Sequence, residues 1–259
     1  MFGMAGETEF DLRFELLGVP IRVHPVFWIS SIWIVWDGDD PRRVFVGVLC
    51  IFVSVLVHEM GHGLLSRRYG YPSEIVLYIL GGYATATRFS TWKNVKVSAA
   101  GPAAGFLLFL LTYITLLLLA ASNPESLIGD SMIGYAIKMM LFANLIVTLM
   151  NLVPCVPLDG GRIAESLMNL YGGPQSMERT IQLGIVASGL VALRGIYCIN
   201  TGADYVPLPQ FLFPSFRVGD MIYTWSGSGI QPAPRFMVIF FGFLCAQQVI
   251  AYNEIKGRR

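Results

Sequence analysis

Long apolar segments separated by short polar stretches constrain this chain more than any other feature. Six of them are long enough, or nearly so, to cross a bilayer, which takes about 20 helical residues. The segments are Pro25–Trp36, Val44–Leu65, Val97–Ala121, Met132–Val153, Ile181–Ile199 and Phe236–Tyr252. Charged residues make up only 14% of the chain, whereas a soluble domain has about 25%. The sequence therefore predicts an α-helical polytopic membrane protein with about six transmembrane helices, of which the first is the shortest.

The positive charges that flank these segments predict an orientation. If all six segments cross and the N-terminus faces the cytosol, twelve Lys and Arg residues lie on the cytosolic side and four on the other. The twelve are Arg13, Arg22, Arg67, Arg68, Arg88, Lys93, Lys96, Arg162, Arg179, Lys256, Arg258 and Arg259, and the four are Arg42, Arg43, Arg217 and Arg235. Cytosolic loops carry the excess of positive charge in membrane proteins. We therefore expect a multi-pass protein of the cell (plasma) membrane with both termini in the cytosol.

Charge and cysteine spacing exclude other classes of function. The net charge of +1 leaves no basic stripe for nucleic acid. The four cysteines lie far apart and form no Cys-x-x-Cys pair, so we interpret them as small apolar residues and not as metal or redox ligands. The N-terminal residues 1–15 lack a basic stretch leading into an apolar one, and we expect no cleavable signal peptide.

The stretches between the apolar segments predict a small sheet. Residues Phe10–Val23 alternate loosely and break at Gly18 and Pro20, and Ile75–Arg88 has two β-rich halves around Gly81-Gly82, which indicates a hairpin. Unpaired strands cannot lie in lipid, so we expect both stretches in a sheet or hairpin at the cytosolic edge. The Pro- and Gly-rich loop from Asn200 to Pro234 is expected to be irregular.

We expect one membrane-embedded domain over residues 1–259. Its catalytic core would span about 17–162, and a C-terminal part with two helices would span about 179–259.

The sequence His58-Glu59-Met60-Gly61-His62 lies near the cytosolic end of the second apolar segment. Residues four apart share one face of a helix, so both imidazoles can reach a single metal ion. Glu59 would lie close by and could take a proton from water that zinc has activated. Ionisable residues inside an apolar helix are costly and are functional by default. The structural alternative is a set of hydrogen bonds between helices.

A zinc site that keeps one position open for water needs a third protein ligand. His24, the only other histidine, lies on the same predicted side of the membrane. Asp159 is the better candidate because it follows the fourth segment on the side where the second segment also ends. Pro154 and Pro157 would stop the helix, and glycines at 160 and 161 would let the chain bend tightly beside a ligand. A helix stop followed by a polar turn is the structural alternative.

These two motifs together resemble the site-2 protease family of intramembrane zinc metalloproteases. The resemblance rests on the His58–His62 motif followed by Asn151 and the Leu158-Asp159-Gly160-Gly161 element at the end of a later span. It extends to Gly18-Val-Pro-Ile-Arg-Val-His24, to the Gly81-Gly82 pair and to Ala99-Ala-Gly-Pro102. It covers about residues 17–162. The chain is similar to a compact subgroup of the family that lacks PDZ and CBS domains.

The resemblance implies a role for each matching residue. His58, His62 and Asp159 would bind one Zn²⁺ per chain, and Glu59 would be the general base and later protonate the leaving amine. Asn151 would donate a hydrogen bond to the oxyanion or position the substrate. The substrates would be transmembrane proteins, cleaved in or near their membrane-spanning segments as in regulated intramembrane proteolysis. Many family members have proline where this chain has Val156, which bears on how the substrate strand is placed and not on metal binding.

Two other functions are compatible with the same residues. A membrane metal-binding or metal-transport protein could use the same ligands without hydrolysis. A catalytically silent relative could act as a scaffold in the membrane. The glutamate distinguishes the first from a protease, because a carrier needs no base at that position.

Overall fold

The computed structural model describes residues 6–36, 40–79, 81–84, 90–171, 173–206, 213–224 and 234–257. Within them the chain is predominantly helical. The helices are α1 (Pro25–Val35), α2 (Pro41–Arg68), α3 (Thr91–Ser122), α4 (Met132–Leu152), α5 (Asp159–Tyr171), α6 (Ser176–Thr201) and α7 (Pro234–Gly257). The strands are β1 (Leu12–Leu16), β2 (Val19–Val23), β3 (Ile75–Tyr78), β4 (Gly81–Ala84), β5 (Ser215–Val218) and β6 (Met221–Thr224). Two short 3₁₀ helices cover Pro124–Leu127 and Gly173–Gln175.

Five of the described helices are long and apolar enough to cross a bilayer, namely α2, α3, α4, α6 and α7. Each coincides with one of the predicted segments, so the α-helical polytopic membrane fold is confirmed. In the most apolar stretch of α3 only 11% of the residues are buried, and Leu107, Leu111 and Leu118 are exposed. Side chains of this kind on the outside of a helix are suited to contact lipid.

The first predicted segment forms a helix that is too short to span by itself. Helix α1 has 11 residues and a length of about 16 Å, against about 30 Å of hydrocarbon. Strand β2 and helix α1 nevertheless lie one after the other along α2. The β1–β2 turn lies near the C-terminal end of α2, where Arg67 donates a hydrogen bond to the Gly18 carbonyl. Val35 packs at the other end, where a Cβ on Gly47 would lie 2.9 Å from the Val35 Cβ.

The two contact points on α2, Gly47 and Arg67, are separated by about 30 Å of helix, which is close to the hydrocarbon thickness. Strand β2 and helix α1 together therefore traverse a distance that α1 cannot cover alone.

Strands β1 to β4 form one four-stranded sheet in that order. The β1–β2 and β3–β4 pairs are antiparallel, and β2 pairs with β3 in parallel. The predicted break at Gly18 is confirmed as a turn in which Leu17 and Gly18 both have positive φ, 52° and 79°. Pro20 lies within β2, opposite Glu15, instead of ending it.

The second predicted hairpin is present, but its turn is shifted. Gly81 and Gly82 are the first residues of β4, where they pair with Tyr78 and Leu77. The turn therefore precedes the glycines. The predicted stretch from Thr85 to Arg88 lies outside the described residues.

One expectation about the second half of the chain was wrong, and one helix was not predicted. The loop from Asn200 to Pro234 contains the antiparallel hairpin β5–β6, and the first residues of the loop still belong to α6. Helix α5 was not predicted, because its 13 residues are amphipathic and too few to register as a span.

The contacts within the chain define two compact units. The first consists of Met1–Thr87, Ala103–Val147 and Pro214–Thr224. Its core joins the sheet to α1 and α2, with Val19, Val23, Phe27, Ile75 and Leu77 fully buried. The second consists of Arg88–Pro102, Thr148–Phe213 and Trp225–Arg259, and its core lies between α6 and α7 around Cys155, Cys198 and Phe241. The single-domain organisation remains a prediction.

Candidate metal centre

Helix α2 carries the first predicted motif. Asp40 caps its N-terminus by accepting a hydrogen bond from the Arg42 backbone, and Pro41 occupies the first turn, where proline is tolerated because no hydrogen bond is lost. The helix continues without interruption to Arg68. His58, Glu59 and His62 are 2%, 6% and 7% exposed. Three ionisable side chains are thus buried along one segment that is apolar enough to cross a membrane.

The two histidine rings converge on one point. Their Nε2 atoms are 3.3 Å apart, and the rings are nearly perpendicular, with centroids 5.0 Å apart. Zinc binds imidazole nitrogens at about 2.0–2.1 Å in tetrahedral geometry, which places two such nitrogens about 3.3 Å from each other. The histidine pair therefore fits a zinc ion.

A buried polar contact fixes α2 next to the motif. One turn before His58, Ser54 donates a 2.9 Å hydrogen bond to the Asn144 side chain of α4, which itself donates to the Met140 carbonyl. Ser54 and Asn144 are fully buried. Sequence analysis did not single them out, because serine and asparagine in an apolar helix do not form a recognisable motif. Their effect is to hold the histidine-bearing face in one rotation.

The side of α2 next to the sheet is closely packed. A Cβ on Gly63 would lie 3.3 Å from the Ile75 side chain and 3.4 Å from Ser73 Oγ. Glycine beside His62 therefore lets the motif rest directly against β3.

Asp159 is the first residue of α5 and is 6% exposed. Gly160 and Gly161 follow it within the helix, where a Cβ would lie 2.2 Å from the Leu152 carbonyl oxygen and 2.4 Å from Cys155 and Val156 backbone atoms, respectively. Neither glycine has a positive φ. They are required for close backbone approach, and the tight bend expected at this point is instead the first turn of a helix.

One potential ligand atom from each of His58, His62 and Asp159 lies within 4.8 Å of the others. All three residues are buried. Two imidazoles and one carboxylate are a ligand set that zinc uses in hydrolytic sites with an open fourth position.

His24 has a different place in the structure. Its ring Nδ1 accepts a hydrogen bond from the Val26 backbone and caps α1, and the ring packs edge-on against Tyr78 at 4.9 Å. Among the described residues, the group that could hold a metal does not include it. Asn151 is half-buried in the last turn of α4.

A second cluster of charges lies in the N-terminal segment, outside the long helices. Arg22 donates to the buried Asp11 carboxylate at 3.0 Å. Hydrogen bonds from Thr8, and then from Arg22, hold the pKa of Asp11 well below its ordinary value. Arg22, just before His24 in the sequence, is therefore part of an ion pair that anchors β2 to the chain before β1.

Comparison with known proteins identifies the family. The model of peptidase family M50 matches residues 46–132 and 121–193, which is more than half of the chain. The chain belongs to peptidase family M50, the site-2 protease family. Both motifs of this M50 chain lie inside the matched region. The family assignment and the predicted zinc dependence agree with the ligand set.

Curated relatives share the central part of this M50 chain. It is 28% identical over 197 residues to a zinc metalloprotease from Methanocaldococcus jannaschii, covering 74% of this chain and 56% of the relative. It is 30% identical over 178 residues to a Synechocystis sp. protein with a zinc metalloprotease name, covering 62% and 45%. The chain thus spans about half the length of these relatives.

The fold also matches a solved structure of the family. The site-2 protease from Methanocaldococcus jannaschii superimposes with a TM-score of 0.55 at 20% identity, covering 94% of this chain and 95% of that chain. With five apolar helices of spanning length and this family membership, the chain is an integral membrane protein.

Proposed function

We propose that this chain is an intramembrane zinc endopeptidase that hydrolyses peptide bonds in or near transmembrane segments of membrane proteins, as in regulated intramembrane proteolysis. The observation that carries the proposal is the buried pair His58 and His62, with its nitrogens 3.3 Å apart, beside Glu59 in a helix of spanning length. A soluble metalloprotease has no reason to bury this motif in such a helix.

His58, His62 and Asp159 would hold the metal. Zinc bound there would act as a Lewis acid on the scissile carbonyl and lower the pKa of a water molecule towards about 7. Glu59 adjoins His58 and is buried. Its carboxylate would accept the proton of the attacking water and then pass it to the leaving amine, so that one residue acts first as base and then as acid.

Asn151 would stabilise the reacting carbonyl. Its side-chain amide can donate a hydrogen bond as negative charge develops on the oxygen, and a donor of this kind contributes about 10²- to 10³-fold to the rate. Its position in the last turn of α4, eight residues before Asp159 in the sequence, supports this role.

The substrate segment would be presented as an extended strand. A helix hides its carbonyl groups in internal hydrogen bonds, so it must unwind before hydrolysis, and pairing with a sheet edge would replace the lost bonds. Strand β4 is one of the two edge strands of the four-stranded sheet. It is connected through β3 to α2, the helix that carries the histidines.

The predicted orientation of the chain in the membrane would place peptide-bond hydrolysis at the cytosolic side of the plasma membrane. The excess of Lys and Arg at that end of the predicted spans supports this, because positive charge accumulates in cytosolic loops. Water would reach Glu59 from that side.

Replacing Glu59 with Gln tests the proposal. Purified wild-type and Glu59→Gln proteins are incubated with isolated membranes, and new protein N-termini are identified by mass spectrometry. Wild type should generate N-termini within or beside transmembrane segments, and a zinc chelator should abolish them. Glu59→Gln should lose about 10²- to 10⁴-fold in rate while keeping its zinc, because Gln cannot accept a proton.

Glu254→Gln, an exposed position in α7, is the matched control and should cleave like wild type. Full cleavage by Glu59→Gln would refute the role of Glu59 as base. A zinc-loaded wild type that cleaves nothing would favour the metal-binding or transport function instead.

A further inference from the structure

A buried glutamine in the last helix contacts the loop that leads to Asp159. Gln248 of α7 is 7% exposed, and its Nε2 donates a 2.7 Å hydrogen bond to the Val156 carbonyl. Burying an amide in an apolar environment is costly unless it is hydrogen-bonded. Gln248 lies beyond the region that matches the family model, which ends at residue 193. The contact is therefore not part of the motifs that identify the family.

Helix α6 has a glycine, Gly184, at the position that faces the Gln248 side chain. A Cβ on Gly184 would lie 3.0 Å from the Gln248 Oε1 and 3.5 Å from the Cys155 Cα. A Cβ at position 184 would press on the amide of Gln248, whereas its distance from the loop is an ordinary van der Waals contact. Glycine at this position lets α6, α7 and the loop meet around one hydrogen bond.

The loop has little capacity to hold itself in place. Pro154 and Pro157 have no backbone N–H, so two of the five residues at 154–158 cannot donate a hydrogen bond. The Cys155 N–H donates to the Val153 carbonyl at 2.7 Å, and the Leu158 N–H donates to the Cys155 carbonyl at 2.9 Å. The Val156 carbonyl accepts a long 3.6 Å contact from the neighbouring Cys155 thiol, and its short hydrogen bond comes from Gln248, a side chain that is distant in the sequence.

The same stretch of loop supports the start of α5. The Val156 nitrogen lies only 2.4 Å from where a Cβ on Gly161 would be, so Gly161 rests directly on the peptide groups around Val156. The Arg162 N–H donates to the Leu158 carbonyl at 3.0 Å and closes the first turn. Asp159 is the first residue of that turn, and a displaced Val156 would move its carboxylate.

We infer that Gln248 is a positioning residue for Asp159. It holds the Val156 carbonyl from α7, Val156 supports the first turn of α5, and that turn presents the Asp159 carboxylate. The inference rests on the proposed function, in which Asp159 is a zinc ligand.

The test compares two adjacent glutamines of the full-length protein. Gln248→Leu removes the donor at similar size. Gln247→Leu makes the same change next to it at a half-buried position, whose side chain makes no hydrogen bond to the loop within the part of the chain that the structure describes. Zinc affinity is measured by competition with a chromogenic chelator. Residues that support metal ligands typically contribute 10- to 100-fold to metal affinity, and Gln248→Leu should lose a factor in that range while Gln247→Leu stays near wild type.

Amide hydrogen exchange of the zinc-free proteins gives a readout that does not depend on activity. In Gln248→Leu, exchange should rise in peptides covering 152–162 and stay unchanged in peptides covering the histidines of α2. A purely structural role would raise exchange throughout α6 and α7 and lower the melting temperature of the zinc-free protein. If Gln248→Leu does not fold, Gly184→Ala, which displaces the same amide, should give the same local pattern.

Equal zinc affinity and equal loop exchange in the two glutamine variants would overturn the inference, as would an increase in exchange spread over both helices. Failure of the proposed function has a different signature. Asp159→Ala would then keep zinc with wild-type affinity, while the loop exchange in Gln248→Leu would still rise.

Discussion

At the scale of single residues, the roles of the polar side chains can be inferred from their burial and their hydrogen-bond partners. His58, Glu59 and His62 are each more than nine-tenths buried in a segment where every unpaired polar group is costly. The Ser54 hydroxyl donates a hydrogen bond to the Asn144 side chain, and His24 caps helix α1. The two imidazole nitrogens converge at 3.3 Å, a separation at which both can bind one zinc ion.

The zinc content of purified variants follows from this arrangement. Wild type should hold about one zinc per chain, and His58→Ala and Asp159→Ala should each lose it, because either change leaves two of three protein ligands. His24→Asn should keep its zinc, since asparagine is also a good N-cap residue. The metal is measured by inductively coupled plasma mass spectrometry after exhaustive dialysis. Zinc retained in Asp159→Ala but lost in His24→Asn would move the third ligand to His24.

At the scale of elements, the proposed function depends on how short strands and helices pack against their neighbours in the chain. Helix α2 is flush with β3 because position 63 is glycine, so the strands lie next to the histidines. Helix α5 starts with Asp159 because Gly160 and Gly161 allow contact with the preceding loop. Strand β4 is at the edge of its sheet, which makes its outer backbone groups available for a substrate strand.

Proline substitutions in β4 test this last role. Backbone N–H groups of successive strand residues point to opposite edges, so one of Gly82→Pro and Tyr83→Pro removes a bond to β3 and the other removes a donor on the outer edge. Both should reduce cleavage and leave zinc content unchanged. Only the variant that breaks the β3 ladder should also lower the melting temperature. Unchanged cleavage in both variants would exclude β4 as the substrate-pairing edge.

At the scale of the whole molecule, the membrane sets the arrangement of the chain. Five helices are long enough to span, and β2 with α1 runs along α2 from the level of Arg67 to that of Gly47. The N-terminal sheet therefore belongs to the same end of α2 as Arg68, although α1 is too short to cross by itself. This arrangement supports the expectation that the N-terminus and the end of α2 share one side.

Labelling of introduced cysteines checks the side on which each end lies. Glu9→Cys, Arg68→Cys and Asn123→Cys are placed at exposed positions and treated in intact cells with a membrane-impermeant thiol reagent. Asn123→Cys should be labelled, and the other two only after permeabilisation. The unmodified chain is the control, because three of its cysteines are buried and the fourth, Cys245, is half-buried within α7. Labelling of Glu9→Cys but not of Arg68→Cys in intact cells would show that β2 and α1 do not cross.

The sequence by itself determined the class of fold and predicted the residues of the candidate metal centre. Apolar runs of spanning length can satisfy their backbone in lipid only as helices or closed barrels, and five of the six predicted segments are helices of spanning length. The spacing of His58 and His62 fixes a shared helix face in the same local way. The turn at Leu17–Gly18 was predicted from glycine and proline signals, which are also local.

Only the tertiary structure decided what depends on contacts between distant residues. It showed that Gly160 and Gly161 serve close packing, because the backbone they meet lies in the preceding loop. It joined β2 in parallel to β3 across the two intervening helices α1 and α2, and it brought Gln248 to Val156 over 92 residues of chain. The sequence does not specify these contacts, because the residues on the two sides of each contact are brought together only by the folding of the chain between them.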